Sequence, residues 1–294
     1  MRPSVQPLQL LLIYLNKSIH LETQLPSICF LTPSSCCVIF RTSRCDQRIL
    51  KQGGAFMKAP YRLPLIESCA ICKARPDGFF CSLPRPLMTI LDGIKQPIAY
   101  RARACVFLEG QKARGIFVVC QGRVKLSTIS TRRRTTILKI AAPGEILGLP
   151  EMVKAIPYDT TAENLEPCQL GFISREAFAQ FLLEEPGMCF RLARYLSRDC
   201  QTAYRLIRSL GFSRSAPQKL AHIFLQWAAQ GQPMKGEIRV NVPLTHEEIA
   251  ECIGASRETV TRTAAEFRRK HLAELRGPTL VVNNPTALEK LQTS

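Results

Sequence analysis

The chain has 294 residues, 46% hydrophobic and 21% charged, with 40 Lys and Arg against 23 Asp and Glu for a formal net charge of +17. That is the composition of a soluble chain with a real core, not of a solvated polyelectrolyte, and it leaves room for two domains and favours a polyanionic partner. Only +3 of that charge falls from Gly211 onward, where 11 basic residues face 8 acidic ones, so a nucleic-acid reading has to rest on pattern rather than on net charge.

Residues 1–56 carry a short apolar run, Leu8–Leu15, well below the length of a membrane span and followed by no small-residue cleavage site. No membrane partner is expected. The rest of the segment, through Cys29, Cys36, Cys37 and Cys45, has no periodicity. It reads as a disordered tail or as a mis-set start. The second is preferred, because Lys51–Phe56 can be encoded with a ribosome-binding GGAGG just ahead of the Met57 codon. The chain is read as cytoplasmic, where thirteen cysteines point to metal, cluster or redox chemistry before disulfides.

Residues 57–96 hold Cys69-x2-Cys72-x8-Cys81, with Gly78 allowing a bend between the last two thiols. Such a set suits an iron–sulfur cluster, a zinc or redox thiol site, or inert cysteines. Cys105, Cys120, Cys189, Cys200 and Cys252 fall in apolar patterns and are expected in the core.

Residues 97–185 read as an antiparallel β-roll. Ile98–Leu108, Ile116–Cys120, Arg123–Ile129 and Thr135–Ile140 are short β-rich runs, punctuated by Glu109-Gly110, Gln121-Gly122 and Pro143-Gly144. Arg132–Arg134 is expected to be a solvated hairpin tip. Residues 186–211 form a long helix in which Cys189, Ala193, Leu196, Cys200, Ala203, Ile207 and Leu210 recur at four- and three-residue steps, a coiled-coil seam for a homodimer. Gly211 and Ser213–Ser215 are a hinge candidate. Residues 212–294 read as a winged helix. Leu220, Ile223, Phe224 and Trp227 form an inward helix face, and Ile238–Val242 and Thr279–Val282 are strands.

Within that last domain, Pro243–Lys270 predicts two short helices. Thr245 and Glu248 have capping-box spacing, and Leu244 and Ile249 occupy the staple positions. Gly254 supplies the turn, where a Cβ would crowd the second helix or forbid a left-handed backbone. Ser256 caps the second helix. Val260, Ala264 and Phe267 point inward, while Ser256, Arg257, Glu258, Thr261 and Arg262 gather at the other face's N-terminal end, as base readers in a major groove must. Arg268, Arg269 and Lys270 suit phosphates.

Ser256–Arg262, SRETVTR, resembles the recognition-helix signature of the Crp/Fnr family of bacterial transcription regulators, and the likeness extends over about the last four-fifths of the chain. The resemblance implies an α+β fold with an N-terminal β-roll (jelly roll), a long dimerisation helix and a C-terminal winged helix-turn-helix. It implies base reading by Arg257, Glu258 and Arg262 on palindromic double-stranded DNA with GTGA-like half-sites, and RNA polymerase as partner. In the branch with an oxygen-sensing 4Fe–4S cluster, three N-terminal cysteines are joined by a sensor-domain cysteine. Here Cys69, Cys72 and Cys81 would take the first places and Cys168 the fourth. Nucleotide-binding members use a Glu in the segment matched by Pro143–Gly148 and an Arg-Ser pair where Tyr158-Asp159 stands. Glu145 is present but the Arg is not, and Asp159 would repel a phosphate, so weak or no cyclic-AMP binding is expected. The alternatives are a small ligand in the roll and a zinc or thiol site. A thiol oxidoreductase using Cys69 and Cys72 lacks a surrounding βαβ pattern, so no enzyme is expected. A kinase-type regulatory subunit conflicts with the winged helix.

Overall fold

In the computed structural model the described residues are 60–73, 78–131, 133–212, 215–234 and 236–293. The mis-set-start reading, Arg132 at the hairpin tip and the centre of the hinge candidate (213–214) lie outside them.

The molecule is α+β. After α1 (Arg85–Ile94), eight strands build the roll: β1 (Gln96–Tyr100), β2 (Cys105–Phe107), β3 (Gly115–Gln121), β4 (Val124–Ile129), β5 (Thr135–Ala141), β6 (Ile146–Leu147), β7 (Thr161–Asn164) and β8 (Cys168–Ser174), with α2 (Leu149–Lys154) between β6 and β7. They form two antiparallel sheets, ordered β1-β8-β3-β6 and β2-β7-β4-β5. The single run expected over Ile98–Leu108 is broken. Arg103 takes a left-handed backbone (φ 62°), and the chain leaves one sheet at β1 to enter the other at β2.

Alternation along these strands separates two apolar clusters. Phe107, Phe117, Val119, Leu147, Tyr158 and Leu170 fill the roll interior. Ile116, Val118, Ile146 and Ile173 face outward, onto Phe79, Phe80 and Leu83 of the cysteine segment. Gly78 lies at a bend, as expected, and also serves close approach: a Cβ there would fall on the Gly144 backbone.

Helix α3 (Arg175–Glu184), capped by Ser174, leads into α4 (Gly187–Phe212). Met188 and Leu192 of α4 are buried in the outer cluster, with Tyr195 and Leu196 packed against it. Gly211 lies within this helix rather than in a hinge. Helix α5 (Ala216–Ala228) starts on a Ser215–Gln218 capping box. Strands β9 (Gln232–Met234), β10 (Glu237–Asn241), β11 (Ala273–Arg276) and β12 (Thr279–Val282) form the wing sheet in the order β11-β12-β10-β9. Between them lie α6 (His246–Ile253) and α7 (Arg257–Arg269), and α8 (Pro285–Thr293) follows. Leu220, Phe224, Ile249, Ile253, Val260 and Phe267 share one buried cluster, which Leu165 of the roll also enters. No described helix is long and apolar enough to cross a membrane.

Candidate DNA-reading helix and thiol site

The α6–α7 unit is locked by its ends. The Thr245 hydroxyl accepts from the Glu248 amide (3.2 Å), and the Glu248 carboxylate accepts from the Thr245 amide (3.0 Å). Gly254 closes α6 with φ 65°, and nothing stands within 4 Å of a Cβ built there, so backbone handedness and not crowding calls for glycine. The Ser256 hydroxyl then caps α7 by accepting from the Thr259 amide (3.2 Å). With Val260, Ala264 and Phe267 buried, Arg257, Glu258, Thr261 and Arg262 are left exposed together at the positive end of α7. The Glu258 carboxylate is held below its ordinary range by its own backbone amide and by Ser256. Thr261 Oγ1 stands 2.9 Å from His246 Nδ1, which ties the two helices across the turn. Arg268 and Arg269 are exposed, whereas Lys270 is engaged with Glu266 at 2.7 Å.

Glu248 does more than cap. Its carboxylate also accepts from Arg103 and, at 2.9 Å, from Lys125, both on the roll, and Glu163 completes the ion cluster. Arg123 adds a second strap, bonding Glu166 (3.0 Å) and the Asn241 carbonyl. Sequence reasoning found the cap but had no signal for partners more than a hundred residues away.

At the position matching the family's nucleotide site, Glu145 is occupied by Lys139 (2.8 Å) and the Ala142 amide (2.7 Å). Tyr158 is buried, stacked on Phe107 at 3.9 Å, and donates to the Gly115 carbonyl (2.8 Å). Asp159 pairs with Glu151, whose pKa burial and that neighbour raise to about 7. A cleft of about 430 Å³ that shares Glu145 is lined by Arg191, Arg194 and Arg198 of α4, with Ser82 and Tyr195.

The cysteines divide by face. Cys69 packs on the outer cluster. Its Sγ accepts from Lys95 Nζ (2.6 Å) and its amide donates to Asp92 (2.9 Å). Burial opposes ionisation of Asp92, but Ser68, the Cys69 amide and Lys95 outweigh it and hold the pKa at about 2. Burial first, and then the Cys69 and Cys72 charges, raise Cys81 to about 11. Cys168 is not brought to these three. As an inward residue of β8 it is fully buried in the roll interior, with Sγ directed at the Glu166 (3.2 Å) and Arg123 (3.4 Å) carbonyls. Among the described residues no three His, Cys, Asp or Glu side chains converge on one point as a single metal ion requires. Two cysteines expected in the core, Cys105 and Cys200, are exposed.

Known proteins agree with this architecture. Residues 97–185 match the cyclic nucleotide-binding domain and residues 218–291 the Crp-like helix-turn-helix domain, together more than half of the chain. The CRP-like cAMP-activated global transcriptional regulator of Mycobacterium tuberculosis is 26% identical over 214 residues, 72% of this chain and 95% of that protein. Transcriptional activatory protein AadR of Rhodopseudomonas palustris is 26% identical over 180 residues, 61% of this chain and 74% of its own length. FixK2 of Bradyrhizobium japonicum shares the fold with a TM-score of 0.60 at 18% identity, covering 68% of this chain and 98% of FixK2. Both sequence relatives are transcription regulators and not enzymes. With a roll that matches the cyclic nucleotide-binding domain joined through a long helix to a Crp-like helix-turn-helix, the chain belongs to the Crp/Fnr family of DNA-binding transcription regulators.

Proposed function

We propose that this regulator acts as a homodimer on palindromic DNA with GTGA-like half-sites, recruits RNA polymerase, and senses oxygen, redox state or nitric oxide through an iron–sulfur cluster (4Fe–4S) on Cys69, Cys72 and Cys81. The observation that carries the DNA reading is the exposed Arg257, Glu258, Thr261 and Arg262 face, presented by a capped helix on a closed core. Arg can bond both guanine acceptors and Glu can accept from a cytosine amine.

The test is fluorescence anisotropy at physiological salt on a GTGA-containing palindrome and on a scrambled duplex. Arg262→Ala is expected to weaken specific binding about 10- to 100-fold and to relax discrimination at one base pair. Arg269→Ala should weaken both duplexes alike, with a shallower salt dependence. An Arg262→Ala loss that is equal on both duplexes would assign that residue to phosphate and sink its reading role.

The thiols fit a cluster in kind. They are free, half-buried and close enough to feel one another's charge, and Lys95 stands ready to offset thiolate. Bound there, a cluster would supply a group that oxygen or nitric oxide destroys. The chain's part is coupling. Phe79, Phe80 and Leu83, which flank Cys81, pack in the same buried cluster as Met188 and Leu192 of α4. Ordering the cysteine segment therefore firms the floor beneath α4 and shifts the population toward the DNA-competent dimer.

A second reading, a small ligand as effector, is favoured by the arginine-lined cleft between that segment and α4. Cyclic AMP is not the expected ligand. Isothermal titration should show at most weak binding, since Asp159 paired with Glu151 stands where a phosphate needs a cation; a micromolar Kd would contradict this.

A further inference from the structure

A cluster held by Cys69, Cys72 and Cys81, the reading on which this proposal rests, needs a fourth ligand. Strand β3 shows where to find it. Its register against β8 pairs Val119 with Leu170 and then Gln121 with Gln169, so Cys120 is an extra residue at a bulge. In such a bulge two residues face one across the ladder, and the side chain is re-aimed. Gln169 belongs to the outer face: its side chain accepts from the Ile66 amide and donates to the Ile66 carbonyl, each at 2.7 Å. Gln121 reaches the same segment, donating to the Pro64 carbonyl at 2.6 Å. With Ile116 and Val118 facing outward, alternation carries Cys120 to that same outer face, and the bulge re-aims Gln121 to join it, over the surface where residues 64–72 run.

Lys95 links the two sides. Its stem crosses Gly171, where a Cβ would collide with it, and its ammonium ends on Cys69 Sγ. We propose that Cys120, on the outer face of β3, is the fourth thiolate of a set with Cys69, Cys72 and Cys81, and that Cys168 is structural. Electrostatics agree. Burial is the main cause that lifts Cys120 to about 12; Lys95 opposes it and charge on Cys69, Cys81 and Cys72 supports it, whereas the charges acting on Cys168 are those of Glu166 and Arg123. Each thiol releases its proton to solvent on ligation.

The experiment is anaerobic purification of the full chain as wild type, Cys120→Ala and Cys168→Ala, with iron and sulfide assays, visible absorption and a circular-dichroism check of folding. Wild type is expected to carry about four iron and four sulfide per chain, as a 4Fe–4S centre requires. Cys168→Ala should keep them, and Cys120→Ala should fall below about one-tenth while remaining folded. A folded Cys120→Ala that keeps its iron, with loss in Cys168→Ala, overturns the assignment and leaves the cluster standing. Wild type without iron and sulfide, or with zinc alone, overturns both. Should a variant fail to fold, thiol alkylation of wild type decides. Cys120 should resist iodoacetamide until a chelator strips the protein, with the exposed Cys105 reacting throughout. Protection that changes on stripping at Cys168 but not at Cys120 is the contrary result.

Discussion

Ile207→Glu is expected to weaken self-association at least about 100-fold and to remove binding to a palindromic site at concentrations where wild type saturates it. The physical case lies in what α4 leaves uncovered. Its N-terminal half buries Met188 and Leu192 on the outer cluster. On the other side Phe190, Tyr204 and Ile207 are 71%, 62% and 64% exposed, and Ala193 and Cys200 are exposed with them. These positions follow steps of three, four and seven residues, which is a stripe along one side of a helix. Fully burying a side chain the size of isoleucine is worth about 1.5–3 kcal/mol. A two-fold axis along α4 counts each position twice, and a glutamate there would set two carboxylates against each other away from water. Analytical ultracentrifugation reads the dimer constant and anisotropy reads DNA. Thr202→Glu, on the opposite side of the helix, carries the same added charge and should leave both unchanged. An Ile207→Glu protein that sediments as wild type would end the α4-mediated dimer.

The same helix shows what the sequence makes legible and what it hides. Heptad spacing places an apolar stripe on residues 186–211, yet the expected seam includes Leu196, which packs toward the roll, and omits Phe190 and Tyr204. One helix with two apolar neighbours blurs its own periodicity, because spacing records burial and not the partner. The helix-turn-helix is far more readable. Thr245, Glu248, Gly254 and Ser256 act through backbone atoms within three or four residues, so their spacing alone carries the geometry. Cysteines are harder, since a strand residue's role depends on the sheet face it takes. Cys168 sits where the family resemblance wants a ligand, but alternation turns it inward. Cys120 looks like core until Ile116 and Val118 are seen to face outward, which sets the parity of β3. Ile98–Leu108 fails for a related reason: its β-rich composition spans a left-handed turn at Arg103 where the chain changes sheet.

Glu248→Gln should destabilise the folded chain by about 3 kcal/mol at neutral pH and flatten its acid response. Burial opposes ionisation of this carboxylate, but Arg103, the Thr245 amide and Lys125 outweigh it and bring the pKa from 4.5 to about 2. Its side chain is only 7% exposed, so solvent screening is slight. The sign follows from linkage. A carboxylate whose pKa is lower in the folded state adds stability that is complete above its unfolded pKa and is lost as pH falls through the folded one. The Glu248 contribution is therefore full above about pH 5 and gone by about pH 2. Urea unfolding of wild type and Glu248→Gln across that window should give curves about 3 kcal/mol apart at neutral pH that converge toward pH 2. Asp92, also held at about 2, is common to both proteins and cancels in the difference. Thr245→Ala separates the cap from the clasp. It removes a hydroxyl that accepts from the Glu248 amide and donates to the Glu248 carboxylate (3.1 Å) but leaves the Thr245 amide, Arg103 and Lys125 paired with it, and should cost about 1 kcal/mol with far less convergence. A gap between wild type and Glu248→Gln that is constant from pH 7 to pH 2 would mean that packing, and not charge, fastens α6 to the roll. The outcome matters for signalling, because Arg103 and Lys125 meet Glu248 inside the first turn of α6. The same carboxylate that starts the DNA-reading unit also joins it to the roll, so a shift in the roll would act on α6 and α7 through an ion pair as well as through α4.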